Sequence, residues 1–166
     1  YLKKLTYYLL DFHRRAEKPV WWAIFSRREM STEELIEDVE AIGGMTRDSQ
    51  HPPRQQGKFF VYTYRYPEQE TKLKTGDNCV ITETIERIYD VVINEENQTV
   101  MFSYPVKKGM LPEQISIGSG VPLSTRPLKE AIFRFADSLI NGTEKYRALK
   151  NTWCEAITRG LNPFRI

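Results

Sequence analysis

Glu70 and Lys72 stand two residues apart just beyond an alternating run of large residues. In two-metal nucleases an E-x-K at the end of a strand supplies a metal carboxylate and a charge-stabilising lysine. Such a site also needs an aspartate on a neighbouring strand, and Asp48 is the only upstream candidate close in sequence. The pair by itself is therefore incomplete. His13 and His51 are the only imidazoles, and His51 lies in a proline-rich stretch, a poor place to hold a general base against a substrate. A phosphate loop, a G-x-S-x-G elbow and an H-E-x-x-H helix are all absent, which removes the well-marked routes to NTP, ester and zinc chemistry. Cys79 and Cys154 fall in different elements without a C-x-x-C partner, so neither a disulfide framework nor a zinc site is indicated.

A second chemistry is carried by aromatic and basic residues together. Tyr62, Tyr64, Arg65, Tyr66, Lys72, Lys74, Lys107 and Lys108 would let bases stack while cations follow phosphates, the physics of single-strand binding. The competing reading is structural. Phe60, Tyr62, Tyr64 and Tyr66 share one face of a strand and Phe59, Val61, Thr63 and Arg65 the other. One of these faces must fill a core, and since both carry large residues the sequence leaves open which one is exposed.

The elements that must position these residues follow from pattern. Leu2, Leu5, Leu9 and Phe12 recur at helical spacing and predict a first helix to about Arg15, with Lys18-Pro19 breaking it. A second short helix starts near Pro19, and Trp21, Trp22, Ile24 and Phe25 make it apolar nearly all round, the mark of a buried segment. Ser31-x-x-Glu34 is a capping box opening a third helix whose stripe is Leu35, Ile36, Val39 and Ile42, ended by Gly43-Gly44. Its acidic side, Glu33, Glu37 and Glu40, reads as a solvated face. Residues 45–56 are polar, hold two consecutive prolines and read as a linker.

Strands follow at 58–66, at Cys79 to Ile81 and over 85–93, the last forming a hairpin with 99–104 across an Asn94 to Gln98 turn. A short strand is expected from Gln114 to Ile117. Leu128, Ile132, Phe135, Ala136 and Leu139 predict a helix ended by Asn141-Gly142, and Tyr146, Leu149, Trp153 and Ile157 a final one ended by Gly160 and Pro163. The expected fold class is α+β: a small antiparallel SH3-like or OB-like β-barrel, flanked by N- and C-terminal helices that form a stalk or bundle. The expected division is N-terminal helices over 1–44, a linker over 45–56, the barrel over 57–121 and C-terminal helices over 122–166.

At 166 residues, with 40% hydrophobic and 28% charged residues, the chain is long enough for a real core and too polar for a membrane span. The formal net charge of +2 does not by itself imply a polyanion partner, but the acidic run over 31–42 leaves the remainder more basic. A reducing, cytoplasmic setting is the default. The chain opens at Tyr1 on mid-helix residues and reads as a piece of something longer.

As an ordered set the motifs resemble a family. Leu9-Leu10-Asp11-Phe12-His13-Arg14-Arg15, Lys18-Pro19-Val20-Trp21-Trp22 and Glu33-Glu34-Leu35-Ile36-Glu37-Asp38 through Ala41-Ile42-Gly43-Gly44 are similar to a segment of bacterial proteins that fuse a RecB-like nuclease to a superfamily 1 helicase. Tyr64-Arg65-Tyr66-Pro67, Gln69-Glu70-Thr71-Lys72-Leu73, Gly76-Asp77, Pro122-Leu123-x-Thr125-Arg126 and Tyr146-Arg147-Ala148-Leu149 continue the match. It spans about 7–149. The resemblance implies nuclease residues before Tyr1, an ATP-binding loop after Ile166, and an intervening barrel and stalk that help guide single-stranded nucleic acid. ATP and Mg would belong to the parent protein, with no cofactor, metal or catalytic residue in this chain, and Glu70-x-Lys72 would not be an active site. The implied partners are single-stranded DNA or RNA, bound weakly by the chain alone, and the nuclease and helicase domains of the same polypeptide. No membrane partner is expected. The alternative is a purely structural or protein-interaction scaffold, with the Tyr stripe as core and Trp21, Trp22 and Trp153 docking against the motor.

Overall fold

Strand-forming alternation produces the central element of the structure, a computed structural model that describes residues 2–158. The chain order is α1 (Leu2–Leu10), α2 (Phe12–Glu29), α3 (Thr32–Glu37), β1 (Ala41–Arg47), β2 (Arg54–Gln56), β3 (Phe59–Arg65), β4 (Cys79–Ile81), β5 (Tyr89–Asn94), β6 (Thr99–Pro105), β7 (Gln114–Ser119), α4 (Arg126–Ile140) and α5 (Arg147–Thr158). The molecule is α+β. The described residues divide into two compact units, one formed by 2–18 with 123–158 and the other by 19–122.

In the second unit seven strands make one antiparallel sheet in the order β4-β7-β1-β3-β6-β5, with β2 paired to β3 beside β1. Strand pairing leaves the sheet unclosed. Its end strands are joined only locally: an isolated bridge links Val80 to Arg87, and the Gly76 amide donates to the Val91 carbonyl at 2.8 Å. Ile85 takes a left-handed φ of 58°, and the expected strand over 85–93 starts only at Tyr89 as β5; within β5, Asp90 has a left-handed φ of 52° where the register with β6 shifts between Tyr89 and Val92.

One core sits on the inner side of the curled sheet. Ile42 and Met45 from β1, Tyr62 and Tyr64 from β3, Val100, Phe102 and Tyr104 from β6, and Ile115 and Ile117 from β7 are all buried in it. β3 and β6 send alternate residues inward, as the pleat requires. The Tyr64 and Phe102 rings stack with centroids 5.7 Å apart, and Phe102 also lies over Tyr62 at 6.0 Å. Burying two phenols requires partners for their hydroxyls. Tyr64 Oη donates to the Pro112 carbonyl at 2.6 Å, and the Leu111 amide donates to Tyr62 Oη at 3.2 Å. The tyrosine stripe is thus anchored at its polar tips by the loop before β7.

The helix expected over 31–42 is shorter than its pattern. The capping box forms, with Ser31 Oγ accepting from the Glu34 amide and Glu34 from the Ser31 amide, but α3 ends at Glu37 and Ala41 onward is strand. β1 is buried on both sides, so it shows no alternation and its Ile42 and Met45 mimic helical spacing. A Cβ on Gly43 would come within 2.6 Å of the Ile36 backbone nitrogen, so glycine lets α3 lie directly on the strand. Residues 45–56 are likewise not a bare linker: Met45 to Arg47 finish β1, Asp48 is buried, and Arg54 to Gln56 form β2.

Pro19 does not end a helix either. α2 runs through it from Phe12 to Glu29, and the break falls at Asp11. The C-terminal part of α2 is fixed by Arg27, whose guanidinium is buried. It donates from Nε to Asp38 at 2.6 Å, from Nη1 to Ser119 Oγ at 2.8 Å and from Nη2 to Glu40 at 3.2 Å. A buried cation is tolerated only when it is paired and hydrogen-bonded in this way. Ile24 is buried beside it, whereas Trp22 is 72% exposed, so the tryptophan pair is not core throughout as its pattern suggests.

In the first unit α1 packs with α4, and Phe135, Ala136 and Ser138 form the buried side of α4. Glu17 accepts from the Thr125 hydroxyl and pairs with Lys129 at 3.2 Å, which together hold its carboxyl below the usual range. The expected final helix is present as α5. The side chains of Trp153 and Ile157, and the stop at Gly160 and Pro163, lie outside the described residues. None of the described helices is long and apolar enough to cross a membrane.

Candidate functional site

The outward face of β2, β3, β6 and β5 carries residue types that the inward face cannot. Directly opposed residues of antiparallel strands share a side. Arg54, Val61, Ser103 and Tyr89 therefore form one row, Thr63, Met101 and Val92 the next, and Arg65, Thr99 and Asn94 a third. At the end of the face Phe59 is paired with Pro105 on one side and Gln56 on the other. The Phe59 and Tyr89 rings meet edge to face at 5.7 Å, and the Arg87 guanidinium lies 5.4 Å from the Tyr89 centroid. Tyr89, Val92 and Met101 are exposed. The face combines aromatic and aliphatic surface with Arg54, Arg65 and Arg87, while exposed Asp90 stands beside Tyr89 in β5 and Asp48 pairs with Arg65.

At one side of this face a small polar cluster is built on Asp48, which is 3% exposed. The loop after β1 positions it, since its amide donates to the Thr63 carbonyl at 2.9 Å. Asp48 Oδ2 lies 2.7 Å from His51 Nδ1, and Oδ1 accepts from the Gln50 amide at 3.1 Å and pairs with Arg65 Nε at 3.4 Å. The hydrogen bond from His51, then that from the Gln50 amide, hold the Asp48 carboxyl below the ordinary aspartate range against the opposing effect of burial. Asp48, His51, Thr63, Arg65, Val92 and Met101 line a shallow groove of about 450 Å³ on this side.

The predicted binding residues divide between several places. Tyr62 and Tyr64 are fully buried, so their rings are not available to stack bases, which corrects that assignment. The physical reason is the choice of face: packing against Phe102 takes the tyrosines inward, and burial raises the Tyr64 phenol pKa. Arg65 points to the outer face. Lys107 and Lys108 are exposed in the 3₁₀ turn Val106–Lys108 that directly follows β6, and Lys108 Nζ pairs with Glu86 at 3.1 Å. Glu86 also accepts from the Tyr104 hydroxyl. Lys72 and Lys74 are exposed on the extended segment after β3, which is tied by the Lys72 amide to the Val39 carbonyl at 2.7 Å and by the Lys74 amide to Asp77 at 2.8 Å. The structure thus unites Arg65 with the outer face and places the other lysines on two separate turns.

Glu70 shares the segment of Lys72 and is exposed, while the Asp48 carboxylate is occupied by His51, Gln50 and Arg65. Among the described residues no group of three or more His, Cys, Asp or Glu is arranged to hold a metal ion. The pattern misses His51, Arg54, Phe59, Arg87 and Tyr89 as site residues. The available signals were the Asp48-x-x-His51 spacing and the outward parity of Phe59. No protein-family model matches the chain, and no curated protein or solved structure shows significant similarity to it.

Proposed function

We propose that this chain is a non-catalytic module that guides single-stranded nucleic acid across the outer face of β2, β3, β6 and β5. The observation that carries the reading is the Phe59 and Tyr89 ring pair on the outer face, with Arg54 and Arg65 on the same face and Arg87 against the Tyr89 ring. Every base has a π-face, so exposed rings bind a strand without reading its sequence, while guanidinium groups follow the backbone. The curled sheet with one core and a second, decorated side is the arrangement expected of a small barrel of the OB or SH3 kind. On the resemblance to nuclease-helicase fusions, such a module would stand beside a motor that uses ATP and Mg, in the cytoplasm.

The test is a fluorescence-anisotropy titration of labelled single-stranded DNA and RNA with the full chain across a salt series. Binding is expected to be weak and to fade as salt rises. Phe59→Ala and Tyr89→Ala are each expected to weaken it by about 1 to 3 kcal/mol. Absence of binding even at low salt overturns this reading and favours the scaffold alternative, for which exposed Trp22 offers a docking residue.

A further inference from the structure

We propose that Arg65 and His51, both held on the buried carboxylate of Asp48, form a phosphate subsite at the side of the outer face. The inference deepens the nucleic-acid reading above and rests on it for the source of the phosphate. Two donors are oriented by one fixed anion. Arg65 spends Nε on Asp48 Oδ1, which leaves its terminal nitrogens to turn toward the groove. His51 spends Nδ1 on Oδ2, which assigns the proton of the neutral ring to Nδ1 and leaves Nε2 as the second nitrogen of a side chain that is 61% exposed.

Protonation then changes what the site offers. With the ring neutral, Nε2 is an acceptor and would meet a phosphate oxygen as one acceptor meets another. With the ring charged, Nε2–H becomes a donor beside the Arg65 fork, and the cluster of Asp48, His51 and Arg65 goes from zero net charge to +1. Protonating the ring therefore strengthens phosphate capture, a dependence to be read between about pH 5.5 and 8. The charged groups facing His51 are Asp48 on its own loop, Arg65 from β3 and Arg54 from β2. The β5 and β6 side of the groove contributes Asn94, Asn97 and Thr99, which carry hydrogen-bonding groups and no carboxylate. Asp48 remains ionised across this window, its carboxyl being held low by the His51 hydrogen bond first.

The experiment measures anisotropy of labelled single-stranded DNA with the full chain at several pH values from 5.5 to 8, with a parallel NMR titration of the histidine resonances by inorganic phosphate. Wild type is expected to bind about three- to tenfold more tightly at the acid end, in keeping with one charge-assisted hydrogen bond at an exposed site. His51→Gln should lose that gain, and Arg65→Lys, which keeps the charge but not the fork, should reduce it. His13→Gln should leave it unchanged. DNA binding whose pH dependence survives His51→Gln overturns the subsite while the outer-face reading stands. DNA binding absent at every pH, with inorganic phosphate still shifting the His51 resonances, keeps the subsite as one for free phosphate and overturns the nucleic-acid reading. Failure of both ligands overturns both.

Discussion

The two faces of β3 contain residues of similar size and opposite fate. Inward, Tyr62 and Tyr64 are sealed against Phe102, and their hydroxyls are committed to the 111–112 backbone. Outward, Phe59, Val61, Thr63 and Arg65 are partly open, and their partners are a ring edge, a groove and a surface ion pair. The difference is one of polar satisfaction. A phenol enters a core when a loop supplies a partner for its oxygen, and the loop before β7 supplies two. Aromatic content alone therefore does not identify a binding strand. What marks the outer face is the combination of unsealed rings with Arg54, Arg65 and Arg87.

The largest expected effect compares adjacent residues on β6 that point to opposite faces. Phe102→Ala removes the ring stacked on both tyrosines and should cost about 3 to 5 kcal/mol. Met101→Ala on the outer face, where the side chain is 42% exposed, should cost less than about 1 kcal/mol. Urea or guanidinium unfolding of the two variants measures the gap directly. Equal losses would mean that both faces are packed and that no free binding surface exists. An intermediate effect belongs to the start of β1, where Ala41, Ile42 and Gly43 are buried in succession. Gly43→Ala pushes a Cβ against the Ile36 nitrogen and the Leu35 carbonyl carbon at 2.6 and 2.7 Å, and neither is a side chain that can move aside. Overpacking of this kind should cost about 1 to 3 kcal/mol in the same unfolding measurement.

β3 and β6 were legible because they are half-buried, α4 sits where helical spacing places it, and the Ser31 capping box forms as its residues specify; β7 falls where expected although it is buried on both sides, and β5 starts later than its pattern. β1 was not legible because burial on both sides erases the period, and its apolar spacing extends the apparent stripe of α3. The candidate site was less legible still. Sequence pairs Phe59 with Val61 and Tyr62 with Tyr64, but which pair faces water depends on Phe102 and on the Leu111 amide and Pro112 carbonyl, more than forty residues away. His51 read as a linker residue because the proline run hides the turn that brings it to Asp48. That turn is closed by the Gln50 amide on the Asp48 side chain and the His51 amide on the Asp48 carbonyl.

The smallest effect concerns Asp48, the residue at which inner and outer faces meet. Its folded-state carboxyl titrates below the ordinary value, chiefly through the hydrogen bond from His51 and then that from the Gln50 amide. A folded pKa below the unfolded one means that the unfolded chain binds the proton more readily. The stabilising contribution is therefore present above the unfolded value, about pH 4 for an aspartate, and is lost as pH falls through the lower folded value. Asp48→Asn removes a titrating group there, so the variant should show a shallower fall of Tm on the acid side than wild type, with its own offset already present at neutral pH. The Arg65 partner is 53% exposed and solvent screens that pair, so salt should change the acid limb little compared with loss of the carboxylate. Parallel acid limbs in wild type and Asp48→Asn would detach the aspartate from the His51 bond and leave the outer face without its fixed anchor.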